Sequence, residues 1–579
     1  MFKNRNFFSS LILFLALFLI ISCRNEAENT SVFPETTMVK DSSWLELNLR
    51  EKIGQIMCLN YNRDLIFTAG NENGDSFFRH YPVGSFFMAN WEMIKYADKN
   101  ALMDLYRNSI SKLSAGSPNP LLFLEDFETG LGSAIPQMTA LTSGMGLGAA
   151  NSEILAESYG NILSKEARAL GINWILNPVV DLNLNPYSFL TNVRSMGSDP
   201  MLVQRLSAQQ ILAMQSNGIA ATAKHFPGDG TDPVNQHFTT SKVNLTVSEW
   251  SDTYGSVFKN AIDNGVMAIM PGHISFPAYQ LERLNGEALP ATLSSEIMTD
   301  LLKTQLGFEG VVVSDALNMA GMANYYENEL ETQIECFKAG ADVLLWPDLI
   351  FMDTLEQRIL RKEIPIERLN DAVSRVWNMK KKLGLFDKDY QLIRELSQDE
   401  LALHQRKSLE ISKAALTIIS NKNKILPIHP DSSKNILLVV TANSDHAQSL
   451  IHLKEALIEK GFNVDMRPNL SMFTMGSELK NLSKKYDKII FAFYAFPAVP
   501  WGSLLLEDEG ALTMWSANTL PMDQVISVCF GDPYKNLIYM PRVWGRINCY
   551  GSDEFTQKAL ADLLVGSFQA SGISPVHYE

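Results

Sequence analysis

The stretch IAATAKHFPGDGTDPVNQHF, residues 219–238, changes character in its middle. Ile219 to Ala223 are small or apolar, as in a strand buried on both faces. From Lys224 onward the chain turns polar and irregular, with Gly228 and Gly230 allowing backbone turns that other residues resist. The same change recurs along residues 44–385, in LLFLEDFETG (121–130), NWILNPVVDLN (173–183), VMAIMPGHI (266–274), GVVVSDALNM (310–319) and ADVLLWPD (341–348). Continuous apolar runs suit parallel strands covered by helices on both sides. Longer amphipathic stretches lie between them, such as SEILAESYGNILSKEARALG and SSEIMTDLLKTQLG, the latter closed by Gly307 as a helix stop. Repeated strand–helix units over this length predict an α/β fold with a TIM-like (β/α)8 barrel; a doubly wound open sheet is the alternative.

Chemistry in such barrels gathers at the C-terminal strand ends. Asp126, Asp181, Lys224, His225, His273, Asp315 and Asp348 all stand there. Asp315 follows an apolar run directly, so it reads either as a nucleophilic carboxylate at the barrel mouth or as the cap of a following helix. Lys224 and His225 come off the strand as hydrogen-bonding groups at the barrel mouth. His237, twelve residues past His225 on a glycine-softened arm, is suited to general acid/base work near neutral pH. Asp229 and Asp232 read as turn formers bonded to their own backbone.

A chain of 579 residues needs more than one core. Ordinary composition, 46% hydrophobic and 20% charged, argues against long disorder, and a net charge of −15 argues against a nucleic-acid partner. The first six residues, MFKNRN, are basic, the next sixteen are almost wholly apolar, and Cys23 follows. This pattern predicts an export signal over 1–22. The stretch IISC resembles the lipobox of bacterial lipoproteins, which implies lipidation of Cys23, a membrane anchor and a cell-envelope location. Residues 23–43 read as a polar tether, 44–385 as the barrel, 386–412 as a charged helical linker and 413–579 as a smaller α/β layered domain. The four remaining cysteines show no CxxC spacing, and scattered cysteines in a large chain read as free and buried.

KHFPGDGTDPVNQHF (224–238), RSMGSDP (194–200) and PATLSSEIMTDLLKTQLGFEGVVVSDALNM (290–319) together resemble glycoside hydrolase family 3, most closely its bacterial β-N-acetylglucosaminidase branch. The tail segments QVISVCFGDPYKNL and GSDEFTQKALADLLVGSFQASGISPV are similar to the family's C-terminal α/β domain. The resemblance implies Asp315 as nucleophile and His237 as acid/base, with Asp126, Arg194, Lys224 and His225 contacting the sugar. It implies no metal or organic cofactor. One departure stands beside the acid/base histidine: Asn235 occupies a position where the family usually has aspartate. Asp232 is a candidate substitute for that carboxylate, and Asp181 and His273 are candidates for supporting roles.

The implied reaction is retaining hydrolysis of terminal β-linked N-acetylhexosaminides from peptidoglycan- or chitin-derived oligosaccharides, including muropeptides. A family 3 β-glucosidase, an N-acetylglucosamine phosphorylase and a weakly active sugar-binding envelope lipoprotein are the alternatives. Oligomeric state is not written in the sequence.

Overall fold

The computed structural model describes residues 42–577 except 68–70, 72, 189, 324, 443–446, 471–476, 498–504 and 507. The export signal, Cys23 and the tether as far as residue 41 lie outside the described residues. Among the described residues no helix is long and apolar enough to cross a membrane.

Eight short strands build the first half: β1 (Met57–Asn60), β2 (Ser85–Phe87), β3 (Leu122–Glu125), β4 (Trp174–Ile175), β5 (Ala220–Phe226), β7 (Ala268–Pro271), β9 (Val311–Val312) and β10 (Leu344–Leu345). A small pair, β6 (Ser241–Lys242) and β8 (Ile274–Ser275), stands outside this sheet. The order is β10-β1-β2-β3-β4-β5-β7-β9, every pairing is parallel, and a bridge between Val313 and Val343 joins the two edges. The sheet therefore closes on itself, which excludes the open doubly wound alternative.

The apolar runs follow from two cores that share each strand. Cys58, Phe87, Leu122, Leu124, Trp174, Ala220, Met270, Val311 and Leu345 fill the barrel interior. Their chain neighbours Met57, Leu59, Phe86, Phe123, Ile175, Ala221, Ile269, Val312 and Leu344 pack outward against the helices. Side chains alternate between these faces at the strand period of two, and both faces demand apolar residues.

The outer helices carry their own start and stop signals. Glu153–Leu170 is capped by the Ser152 hydroxyl and stops at Gly171 with φ +93°. Pro200–Ser216 opens on the Asp199 cap with proline in its first turn. Glu296–Gln305 winds as a wider π-type helix, and Gly307 takes φ +73° just past its end.

Beyond residue 385 the charged segment is turns up to Ser397, and only then a helix, Gln398–Ala415, opened by a Ser397/Glu400 capping box. This helix is packed on both sides. Ser408 donates to the Ala140 carbonyl of the barrel half, and Ser412 shares a hydrogen bond with Thr556 of the last helix.

The second sheet comprises β11 (Thr417–Asn421), β12 (Asn435–Thr441), β13 (Asn463–Pro468), β14 (Lys488–Ala495), β15 (Val525–Gly531) and β16 (Gly545–Asn548), in the order β11-β16-β15-β14-β12-β13. Only the β11–β16 pairing is antiparallel. Helices cover both faces, giving the smaller α/β layered sandwich. Cys529 and Cys549 belong to the cores on opposite faces of this sheet, and both are free and buried, as are Cys58 and Cys336.

Candidate active site

At the C-terminal ends of the barrel strands a cavity of about 880 Å³ opens, and Asp126, Arg194, Lys224, His225, His237 and Asp315 all line it. Phe87, Trp91, Met270 and Trp346 supply its apolar wall. His273, Asp181, Asn235 and Asp232 are buried beside it without lining it. Asp348 points elsewhere and pairs with Gln333.

Four charged groups form one cluster on the β3–β5 side. Lys224 Nζ lies 2.8 Å from Asp126 Oδ1 and 2.9 Å from Glu128 Oε1. Glu128 also accepts two hydrogen bonds from Arg194, 2.9 Å to Nε and 2.7 Å to Nη2. Two cations and two anions are thus balanced, as burial requires. Burial opposes the charge on Lys224, but Asp126 and Glu128 more than offset it and hold the ammonium above its ordinary range. Burial likewise opposes ionisation of Glu128, yet Arg194 and Lys224 bring its carboxyl well below the usual value. The Lys224 side chain is 3% exposed, those of Glu128 and Arg194 21% and that of Asp126 39%, so Asp126 is the most open member of the cluster. Below it, burial and the Asp126 charge push Glu125 up to about 8, and Glu125 accepts the backbone N–H groups of Asn90, Asp126 and Phe127.

His225 is held from behind. Its Nδ1 lies 2.6 Å from Asp181 Oδ2, and Asp181 Oδ1 accepts the backbone N–H groups of His225 and Asp229. Asp229 accepts the Gly230 N–H, the turn role expected of it, and burial beside Asp181 pushes its carboxyl up to about 7. Gly228 and Gly230 have φ of +126° and +110°; a β-carbon at Gly228 would collide with the Tyr254 ring, and one at Gly230 with the Leu182 carbonyl. Tyr254 in turn donates its hydroxyl to the Asp229 carbonyl. These glycines let a polar loop lie tightly against a barrel helix.

His237 is held by an amide. Asn235 Oδ1 accepts the His237 backbone N–H at 3.0 Å and faces His237 Nδ1 at 2.9 Å. Burial lowers the ring to about 4; Asp315 opposes the shift, and Arg194, His225 and His273 add to it. Asp232 does not substitute for the missing carboxylate. Its oxygens accept the backbone N–H groups of Val234 and Lys242 and so tie the base of the loop.

Asp315 begins no helix. Its Oδ1 accepts the Ala316 N–H at 2.8 Å, a short 3-10 turn follows at Ala320–Met322, and the next α-helix starts at Glu329. The capping alternative is thereby removed. Burial opposes its ionisation, but His273, His225, His237 and the Ala316 N–H outweigh it, so the carboxyl lies below its ordinary value. His273 fixes the adjacent backbone, with Nε2 3.0 Å from the Ala316 carbonyl and Nδ1 2.9 Å from Thr292 Oγ1. A carbonyl only accepts, so Nε2 carries the proton and Nδ1 accepts from the hydroxyl. Burial lowers this ring too.

Sequence reasoning missed Glu128, although it stood in the same LEDFETG stretch as Asp126. An acidic residue two positions on was the available signal. Trp91 and Trp346 were missed as well; with Phe87 they form an edge-to-face group at 5.4–6.2 Å.

A half-buried carboxylate held below its ordinary pKa, a histidine arm and a charge-balanced polar cluster around one cavity form a site for polyhydroxylated substrates. Residues 48–379 match the glycosyl hydrolase family 3 N terminal domain. A β-N-acetylglucosaminidase/β-glucosidase of Cellulomonas fimi is 30% identical over 554 residues, 92% of this chain and 94% of its own. A β-glucoside phosphorylase of known structure is similar with a TM-score of 0.79 and 27% identity, over 93% of this chain and 96% of its own. A family 3 β-N-acetylglucosaminidase from Paenibacillus sp. str. FPU-7 gives 0.78 and 25%, over 92% and 99%. More than half of the matched length is the barrel that holds the cavity, and the chain belongs to glycoside hydrolase family 3.

Proposed function

We propose that this chain is a retaining exo-β-N-acetylhexosaminidase acting on terminal β-linked N-acetylglucosamine of peptidoglycan- or chitin-derived oligosaccharides. The observation that carries the reading is the meeting of Asp315 and His237 in one cavity with the Asp126–Glu128–Arg194–Lys224 cluster. Asp315 attacks the anomeric carbon, and the bond to the aglycone oxygen breaks. His237 moves the proton, to the departing oxygen in the first step and from the incoming water in the second. Asp126, Lys224, Arg194 and His225 bind the sugar hydroxyls and fix the ring for in-line attack.

The names of the Cellulomonas fimi and Paenibacillus relatives support the N-acetyl specificity. The likeness to a β-glucoside phosphorylase supports a second reading, in which phosphate replaces water as acceptor. A histidine beside that acceptor avoids the repulsion a carboxylate would impose. The export pattern at residues 1–23 supports a lipid-anchored envelope protein.

The test uses protein lacking residues 1–23, with aryl β-N-acetylglucosaminide and aryl β-glucoside compared with and without phosphate, and Asp315→Asn as control. Faster release from the N-acetyl substrate, independent of phosphate and absent in the variant, is the expected outcome. Preference for the glucoside, or a sugar phosphate as product, transfers the protein to the corresponding alternative. Radiolabelled palmitate incorporation that disappears in full-length Cys23→Ala tests the anchor.

A further inference from the structure

One atom of Asn235 decides which proton His237 carries. The backbone N–H of His237 can only donate, so the Asn235 atom it meets at 3.0 Å is the amide oxygen. That same oxygen lies 2.9 Å from Nδ1, which must then donate as well. The ring is fixed with its proton on Nδ1 and its lone pair on Nε2. Within the same site, His225 receives a carboxylate at the equivalent ring nitrogen, whereas His237 receives a neutral amide. The charged and titratable groups that face His237 are Asp315 after β9, Arg194 after β4, His225 on β5 and His273 after β7, and burial favours its neutral form.

We propose that Asn235 leaves His237 chiefly a base in the resting enzyme and only a weak source of acid, and so makes the first step fastest for glycosyl donors whose leaving group can depart as an anion. This rests on Asp315 and His237 as the reacting pair. In the first step Asp315 forms a bond to the anomeric carbon, and the bond to the leaving oxygen breaks. With an activated donor that oxygen keeps the electron pair, as a phenolate does, without the proton that His237 supplies to a sugar leaving group. In the second step water, or a sugar hydroxyl, bonds to the anomeric carbon as its proton passes to His237 Nε2. The bond to Asp315 breaks, the carboxylate is restored and the imidazolium returns its proton to solvent. A half-buried ring that rests on an amide and not on a carboxylate has nothing to stabilise its imidazolium from behind, so an alkoxide-type leaving group finds less acid. Asn235 is a positioning residue, since it acts through His237.

The experiment is a leaving-group series, from 2,4-dinitrophenyl to phenyl, of both β-N-acetylglucosaminides and β-glucosides, with wild type and Asn235→Asp. For wild type, kcat/KM is expected to fall on the order of tenfold per unit of phenol pKa. Asn235→Asp flattens that slope, raises the phenyl rate relative to the dinitrophenyl rate by about tenfold, and moves the acid limb of the pH profile upward. A wild-type slope no steeper than the variant's, or no turnover of either dinitrophenyl glycoside, overturns the proposal. A steep slope on glucosides alone keeps it and defeats the N-acetyl reading instead. The 15N spectrum of His237 in the wild-type protein gives a variant-free check. Protonated Nδ1 and bare Nε2 between pH 5 and 8 are expected by the argument from hydrogen-bond donors, and the opposite tautomer overturns it.

Discussion

His225 and His237 lie on one loop and open into one cavity, but they are anchored in different ways. His225 is buried, ends a strand and rests on the carboxylate of Asp181. His237 is half-buried, sits on the arm beyond two glycines and rests on the amide of Asn235. A strand-end histidine with a carboxylate behind it is a fixed hydrogen-bonding post. A loop histidine held by a neutral partner is free to exchange its proton. On the proposed mechanism one sequence motif supplies a binding group and a proton carrier, and the partner residue rather than the histidine sets the role.

Both rings face one anion, Asp315. Asp315→Asn is expected to lower kcat by a factor on the order of 10⁴ or more, measured on an activated aryl glycoside. Next in size is Glu128→Gln, which leaves Lys224 and Arg194 short of one negative charge beside His225. It should reduce kcat/KM by about 100-fold and cost about 3 kcal/mol in denaturant unfolding, the low end for a buried pair because Glu128 and Arg194 are each 21% exposed. Asp181→Asn removes the post behind His225, and a rise in KM of about 10–100-fold is expected, since a charge-assisted hydrogen bond is lost.

A pH profile sharpens the His237 side. The base must be unprotonated to work, and its ring is lowered to about 4. Activity on dinitrophenyl substrate should therefore hold as pH falls from 7 to about 5, and decline only as the ring gains its proton. The smallest change is expected for Asp232→Ala, which frees two backbone N–H groups at the loop base. A loss of about 1 kcal/mol and a few-fold fall in kcat is the outcome to check by thermal unfolding and steady-state assay.

Much of this arrangement is legible in the chain. The barrel could be read because each strand is apolar on two faces, so IAATA and GVVV stand out as unbroken runs. Strand β13 could not, because Asn463, Asp465 and Pro468 at the sheet edge face solvent and leave only Val464 buried. The opening of the helix at Gln398, rather than earlier, depends on a Ser397/Glu400 box within an evenly charged segment. At the site, residues on strand ends were identifiable one by one. Their pairings were not, since Lys224 meets Asp126 across 98 positions and His225 meets Asp181 across 44. Asp232 could be read either as a turn former or as a substitute partner for the histidine, and the loop turns its oxygens onto backbone N–H groups.

The most direct test of the account is to trap the intermediate. A fluorosugar glycoside that forms the glycosyl-enzyme quickly and hydrolyses slowly is added to the protein, which is then digested and sequenced by mass spectrometry. The account predicts one sugar on the peptide containing GVVVSDALNM, attached to Asp315. A sugar on Asp126 or Glu128, or turnover with inversion and no adduct at all, would contradict it.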